Sequence, residues 1–347
     1  MKRGAMLTLG LLVLAGSIQA ADEVEYRTPD GKYKVARGDI TAETSKDVTI
    51  KNEKIPIYLI ESVKYDQQSP QIVTADSLFK QGRYDDAIES YKEIGKASGD
   101  NPKLQARLLN SVFESMAEKA IAEPTGNYEE AIKWFGRLND AYPESRHYYP
   151  AQELIGRVHL ANGKYQEAAK AFGTLKDVDW PGYQEKATLY QGIAQVKQGN
   201  NTAAISDLDR VIKSPGTDPS IEPLRGAAEI YKGVALFNSG QVDESEKLIR
   251  AALKKIPADS YEIKAVGRNA LGDILVKKQM PKEAMLEGYM WVVVVYNRTP
   301  EEVAKALYNL TQIMPGLGYE DRGKMMQAEL QGTYPNSSWT KKLTSGS

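Results

Sequence analysis

The sequence predicts a mainly α protein in which about seven helical hairpins stack into an α-α superhelix, preceded by a small β module. Three observations carry this. A glycine–aromatic–alanine signature returns at intervals of 35 to 44 residues between residue 72 and about 340, and self-similarity on that scale marks a repeat array. Residues 22–68 alternate apolar and polar positions with period 2, the pattern of half-buried strands. The 347 residues include no Cys and only two His, so neither disulfides nor a thiolate metal site can substitute for an extensive core.

Residues 1–20 read as an export signal: basic Lys2 and Arg3, an apolar run from Met6 to Ala15, and small residues through Ala20. The run is short for a bilayer span, and a removable secretory leader has this layout. A periplasmic or secreted location follows as an expectation, with no integral membrane segment once the leader is cleaved. A lipid-anchoring Cys is missing.

In residues 22–68, Tyr33–Ile40, Asp47–Ile50 and Ile55–Tyr65 supply β-branched alternation broken by Asp30-Gly31. Three to five short strands are expected, with Pro56 at a strand edge or start. The segment resembles small SH3-like or Sm-like barrels. Its roughly fifty residues make a marginal core, so it should pack on the helices that follow.

From residue 72 to about 340 the array takes over. Gly82-Arg83-Tyr84-Asp85-Asp86-Ala87 is echoed by Gly126-Asn127-Tyr128-Glu129-Glu130-Ala131, by Gly163-Lys164-Tyr165-Gln166-Glu167-Ala168 and, more weakly, at Gly199, Gly240 and Met280. A small residue precedes each turn at Ala75, Gly156, Gly192, Gly233 and Gly272, and a large apolar group follows the second-helix small residue by four at Tyr91, Phe135, Phe172, Leu208 and Ile249. Small residues let paired helices approach, the large group fills the groove on the same face, and glycine supplies the positive φ that ends the first helix. The run Met290-Trp291-Val292-Val293-Val294-Val295-Tyr296 would alone read as a strand. Inside the repeat register it is expected as a helix buried between the sixth and seventh units. Gly318 to Pro335 keeps little of the signature, as a capping unit would. Taken together these positions resemble tetratricopeptide repeats, which implies helix pairs stacked around a concave protein-binding face.

Composition narrows the chemistry. With 45 basic and 46 acidic residues and no basic stripe interleaved with aromatics, nucleic acid is not an expected partner. His147, in a turn between repeats, and His159, on a first helix and expected half-buried, have no second His at ligand spacing, so no metal site is predicted. Asp85-Asp86 and Glu129-Glu130 stand at helix starts, where they complement the macrodipole. No phosphate-loop glycine pattern occurs, and the expectation is no catalytic residue and no cofactor. Trp134, Trp180, Trp291 and Trp339 are read as packing residues.

The resemblance places recognition on the face of the first helices, which by register carries Glu153, Arg157, Leu189, Ile193, Val196, Ile230, Val234, Phe237, Asn238, Asn269, Asp273 and Lys277. An apolar middle with polar flanks suits an amphipathic or extended peptide; packing against second helices is the competing reading of the same apolar residues. The Lys/Asn/Arg carboxylate clamp of chaperone-binding family members is missing at the matching positions. The phrases Tyr142-Pro143-Glu144-Ser145 and Tyr334-Pro335-Asn336-Ser337-Ser338-Trp339 are similar to those of periplasmic repeat proteins serving outer-membrane assembly and the Tol-Pal system. The leading expectation is therefore a non-catalytic exported scaffold for protein or peptide partners of the cell envelope. Alternatives are an envelope glycan hydrolase using carboxylates and a self-assembling structural protein.

Overall fold

A computed structural model describes residues 21–345 apart from 67, 100, 124, 125 and 217. The expected leader, residues 1–20, lies outside the described residues.

Six strands open the chain: β1 (Asp22–Arg27), β2 (Tyr33–Gly38), β3 (Ile40–Glu43), β4 (Asp47–Ile50), β5 (Glu53–Pro56) and β6 (Ile60–Lys64). They form two antiparallel three-stranded sheets ordered β2-β1-β6 and β3-β4-β5, one strand more than the expected maximum. The excess arises because Tyr33–Ile40 is two strands, not one. The chain breaks at Gly38, whose φ of +150° few side chains tolerate, and passes from one sheet to the other. Lys51 and Asn52, both at positive φ, make the two-residue turn between β4 and β5 whose twist suits an antiparallel pair. Pro56 ends β5 at a sheet edge, where its missing donor is harmless.

The helices pair as α1 (Gln71–Lys80) with α2 (Tyr84–Ala97), α3 (Pro102–Ala122) with α4 (Tyr128–Ala141), α5 (Tyr148–Ala161) with α6 (Tyr165–Gly173), α7 (Tyr183–Gln198) with α8 (Asn201–Ile212), and α9 (Ile221–Asn238) with α10 (Val242–Lys255). The sixth pair sets α11 (Tyr261–Lys277) against a broken second helix: α12 (Pro281–Glu283), a π turn (Ala284–Tyr289) and α13 (Met290–Val294). The seventh pairs α14 (Pro300–Ile313) with α15 (Glu320–Thr333), and α16 (Ser338–Ser345) packs on α14. Among the described residues this makes seven hairpins and a terminal helix.

The small-against-large pairing fixes how closely each hairpin closes. A Cβ on Gly156 would lie 2.6 Å from Phe172, on Gly192 3.0 Å from Leu208, and on Gly233 2.4 Å from Ile249. Phe172, Leu208 and Ile249 are all fully buried, each contributing about 1.5–3 kcal/mol by leaving water. The sixth hairpin obeys the same rule through a detour. Four residues after Ala284 stands Gly288, which cannot fill a groove. The π turn adds one residue, so that Tyr289 arrives in the slot beside Gly272, where a Cβ would meet its ring at 2.5 Å. Gly288 in turn allows backbone contact, since its Cβ would sit 2.6 Å from the Gly272 Cα.

The run Met290–Tyr296 is helical to Val294 as expected, but only partly buried. Val292 is inaccessible while Val294 is 63% exposed and Trp291 39%, because α13 packs one face and turns the other outward. The packing expectation likewise holds fully for Trp180, in part for Trp134 and Trp339, and not for Trp291.

Consecutive first helices touch one another, α3 on α5, α7 on α9, α9 on α11 and α11 on α14, whereas the second helices fan apart. The first helices therefore form the inner wall of the curve. The β module sits on the N-terminal part of the array, as its marginal size implied. Val24, Val48, Ile50, Val63 and Tyr65 share one core with Ile72, Tyr91, Leu104, Leu108, Tyr149 and Trp180. Arg107 of α3 donates to the Val63 carbonyl at 3.3 Å and to Gln68 at 2.7 Å, and Arg146 pairs with the buried Glu43 at 3.7 Å. Among the described residues no helix is long and apolar enough to cross a membrane.

Candidate functional site: a chamber inside the closing turn

The β module packs against the N-terminal hairpins, and the main cavity lies further along the array. There the curve turns back on itself. A cavity of about 330 Å³ is bounded by Tyr165 at the head of α6, Val196 and Lys197 of α7, Tyr231, Val234, Phe237 and Asn238 of α9, Val266, Ala270 and Asp273 of α11, Glu301, Glu302 and Lys305 of α14, and Ser338 and Trp339 of α16. Hairpins three to seven thus surround one space. Lys197 of the fourth hairpin stands 3.9 Å from Glu302 of the seventh.

The mixed apolar and charged lining follows from the register. On α9 the buried small residue Gly233 faces Ile249, so the next residue, Val234, turns inward to the chamber; on α11 Gly272 places Asp273 in the equivalent position. Asp273 accepts from the Tyr289 hydroxyl at 2.7 Å and from Lys305 Nζ at 2.6 Å. Burial alone would drive the Lys305 ammonium down, but Asp273 and Glu302 outweigh it and hold it above its ordinary value. Asn269, wholly buried, donates its Nδ2 to the Glu302 carbonyl at 2.9 Å and to Glu302 Oε2 at 2.8 Å, leaving its Oδ1 without a partner. Glu301 accepts from the hydroxyls of Ser337 and Ser338 at 2.8 and 2.5 Å, tying the terminal helix across the end. Burial, followed by the negative charges of Glu262 and Glu302, pushes the Tyr231 phenol well above its usual range.

Of the residues expected on the concave face, Val196, Val234, Phe237, Asn238 and Asp273 line the chamber. Leu189, Ile193 and Ile230 do not: they are at most 5% exposed and pack in the shared core of the C-terminal hairpins. Asn269 is buried behind Glu302 and so acts by holding it. The correction has a simple cause. Inward-facing positions on a 3.6-residue helix drift, so a single register assigns both chamber-facing and helix-facing residues to one stripe. Glu153 and Arg157 lie on the inner wall one hairpin earlier, already paired to Lys186 at 2.8 Å and to Glu118 at 2.9 Å. Lys277 is exposed outside the chamber.

Sequence reasoning missed Tyr165, Lys197, Tyr231, Val266, Ala270, Glu301, Glu302, Lys305, Ser338 and Trp339. Most belong to elements brought in by curvature. The first helix of the seventh unit was findable, because Thr299-Pro300-Glu301-Glu302 is a helix start.

Elsewhere the carboxylates that open second helices are engaged. Asp85 and Glu129 receive Lys119 at 2.6 Å and Lys164 at 2.9 Å. His147 is buried at the head of α5, and burial, with Arg146 and Arg107 beside it, drives its pKa far down; His159 is half-buried, as its position implied. Among the described residues no group of three or more His, Asp or Glu is placed to hold a metal ion.

Residues 189–260 match the family model of the tetratricopeptide repeat. The chain is similar to the crystal structure of a tetratricopeptide repeat protein from Parabacteroides merdae, at 16% identity and a TM-score of 0.57, over 79% of this chain and 95% of that one. It also matches the APC/C hetero-tetramer Cut9-Hcn1 at 16% identity and a TM-score of 0.45, over 79% of this chain and 54% of that one. No curated protein matches the chain. The matched repeat and the first of these likenesses establish the fold as a tetratricopeptide-like superhelix with a small N-terminal β module.

Proposed function

We propose that the protein is an exported scaffold of the cell envelope that holds a segment of a protein partner in the chamber of its C-terminal hairpins. One observation carries this reading: the chamber brings Val196, Val234, Phe237 and Val266 together with the charged groups of Lys197, Asp273, Glu301, Glu302 and Lys305, a lining that can bury an apolar side chain while fixing its neighbours. The leader-like residues 1–20 support the envelope location, and the family resemblance supports a binding role over a catalytic one.

A photo-crosslinking residue at Asn238, on the chamber rim, tests the reading against the same group at Glu93, on the outward helix of the first hairpin. Capture of a protein from Asn238, lost when Val234→Trp fills the chamber and not reproduced from Glu93, is the expected result. Capture unchanged by Val234→Trp would remove the chamber from the function. A reporter fused to residues 1–20 checks export separately.

A further inference from the structure

We propose that the chamber receives a cationic side chain, a Lys or Arg from a basic segment of the protein partner, held between carboxylates and aromatic faces. The inference rests on the proposed binding role and specifies its chemistry.

Charge comes first. Asp273, Glu301 and Glu302 line the cavity against two cations, Lys197 and Lys305. Lys305 is spent on Asp273 at 2.6 Å. Lys197 is 40% exposed and stands 3.9 Å from Glu302 Oε1, too far for a hydrogen bond. Glu302 Oε2 is fixed by Asn269, so Oε1 is oriented into the site with only a loose counter-ion. The Lys305 ammonium, held above its ordinary value by Asp273 and Glu302 in spite of its burial, agrees with negative surroundings.

The walls suit the same guest. Tyr165, Tyr231, Phe237 and Trp339 contribute four aromatic rings to the cavity, and aromatic faces attract ammonium and guanidinium groups while the aliphatic stem packs on Val234 and Val266. Tyr231 is only 6% exposed and lines the space, which puts its ring within reach of a guest. A donor-only guest such as an ammonium can also hydrogen-bond to the lone pairs of the Tyr231 hydroxyl. About 330 Å³ accepts one long side chain with its backbone at the mouth. An acidic guest would face three carboxylates and find only Lys197 unengaged. Lys197 is then the internal stand-in that the partner's cation displaces.

The test uses the full chain and three probes, acetyl-Val-Lys-Val-amide, acetyl-Val-Arg-Val-amide and acetyl-Val-Glu-Val-amide, titrated calorimetrically at low salt. The basic probes are expected to bind at least about tenfold more tightly than the acidic one, with Glu302→Gln weakening them about tenfold, the size of one charge-assisted hydrogen bond. Lys197→Met should tighten them severalfold, which a variant that merely disturbs folding would not do. Equal or tighter binding of the acidic probe, or weaker basic binding in Lys197→Met, overturns the inference. So does failure of both basic probes to bind while Val234→Trp still abolishes crosslinking from Asn238; in that case the binding role survives and the cation does not. If crosslinking ignores Val234→Trp, the binding role itself falls.

Discussion

The first and sixth hairpins carry the same side-chain relay in opposite settings. In the first, Tyr91 donates to Asp76 at 2.8 Å, and Arg107 from the next first helix meets the same carboxylate at 2.8 Å. In the sixth, Tyr289 donates to Asp273 at 2.7 Å, and Lys305 from the next first helix closes the pair at 2.6 Å. The repeat dictates both: the Asp follows the small residue, the Tyr fills the groove, and the cation comes from the neighbouring hairpin. At the N-terminal end the relay is roofed by the β module, and Arg107 has become its anchor through Val63 and Gln68. At the C-terminal end the relay is one wall of the chamber. The same inner surface serves stability where it is covered and is available for recognition where it is not.

The largest test of this contrast is at the two tryptophans that mark the ends. Trp180 is buried against Tyr58, Tyr149 and Tyr183, with ring centroids 4.8–6.1 Å away. Trp180→Ala should cost about 3–5 kcal/mol, read by denaturant unfolding, and loosen the β module first. Trp339 touches Tyr308 at 5.3 Å and stays half-exposed, so Trp339→Ala should cost about 1 kcal/mol while abolishing probe binding. Equal losses at the two sites would mean that the ends do not differ as described.

A finer test exchanges the two cations of the relay for methionine. Arg107→Met removes an ion pair and two hydrogen bonds at a mostly buried seam, and about 2–3 kcal/mol should be lost. Lys305→Met leaves Asp273, no more exposed than Asp76, without its counter-ion beside the chamber, and about 2–3 kcal/mol should again be lost. The second variant should bind the basic probes more tightly and the first should leave them unchanged.

Much of this was legible in the sequence, and the reason is the repeat. Glycine in the turn, a small residue before it and a large one after Ala87, Ala131, Ala168, Ala204 and Ser245 are local constraints, so the hairpins follow from spacing alone. Three things were not local. The π turn was hidden because an inserted residue leaves no mark except Gly288 standing where a large side chain is expected. The β module could be predicted to dock but not where, since Arg107, Arg146 and Trp180 reach it from three different hairpins. The chamber needs the superhelix to curl until Tyr165 and Trp339 share a space, and a curvature built from small rotations per repeat cannot be read from any one of them. That is why Val234 and Asp273 were found while Tyr231 and Glu302 were not.

The smallest expected effect is one of acidity, and it should divide the molecule along the same line. Both histidines lie in the N-terminal half, and His147 is buried under the module with its Nε2 unpartnered and with Arg146 and Arg107 nearby. Its folded-state pKa is driven well below the ordinary 6.5, chiefly by burial, so below about pH 6.5 the unfolded chain binds a proton that the folded one refuses. Stability contributed by this group is therefore present above that pH and is lost as pH falls, at no more than about 1.4 kcal/mol per pH unit. Glu114, close to the same cluster, opposes it. Burial, with Glu118 and Asp76 adding to it, raises that carboxyl above 4.5, so the folded chain takes up its proton first and gains stability on acidification. Comparing the native chain with His147→Gln isolates the histidine: the variant should lose less stability between pH 7 and 5.5. Amide exchange should place the difference in the β module and hairpins one to three, with α11 and α14 protected equally at both pH values. Loss of protection around Asp273 and Lys305 instead would show that the covered and open ends unfold as one unit.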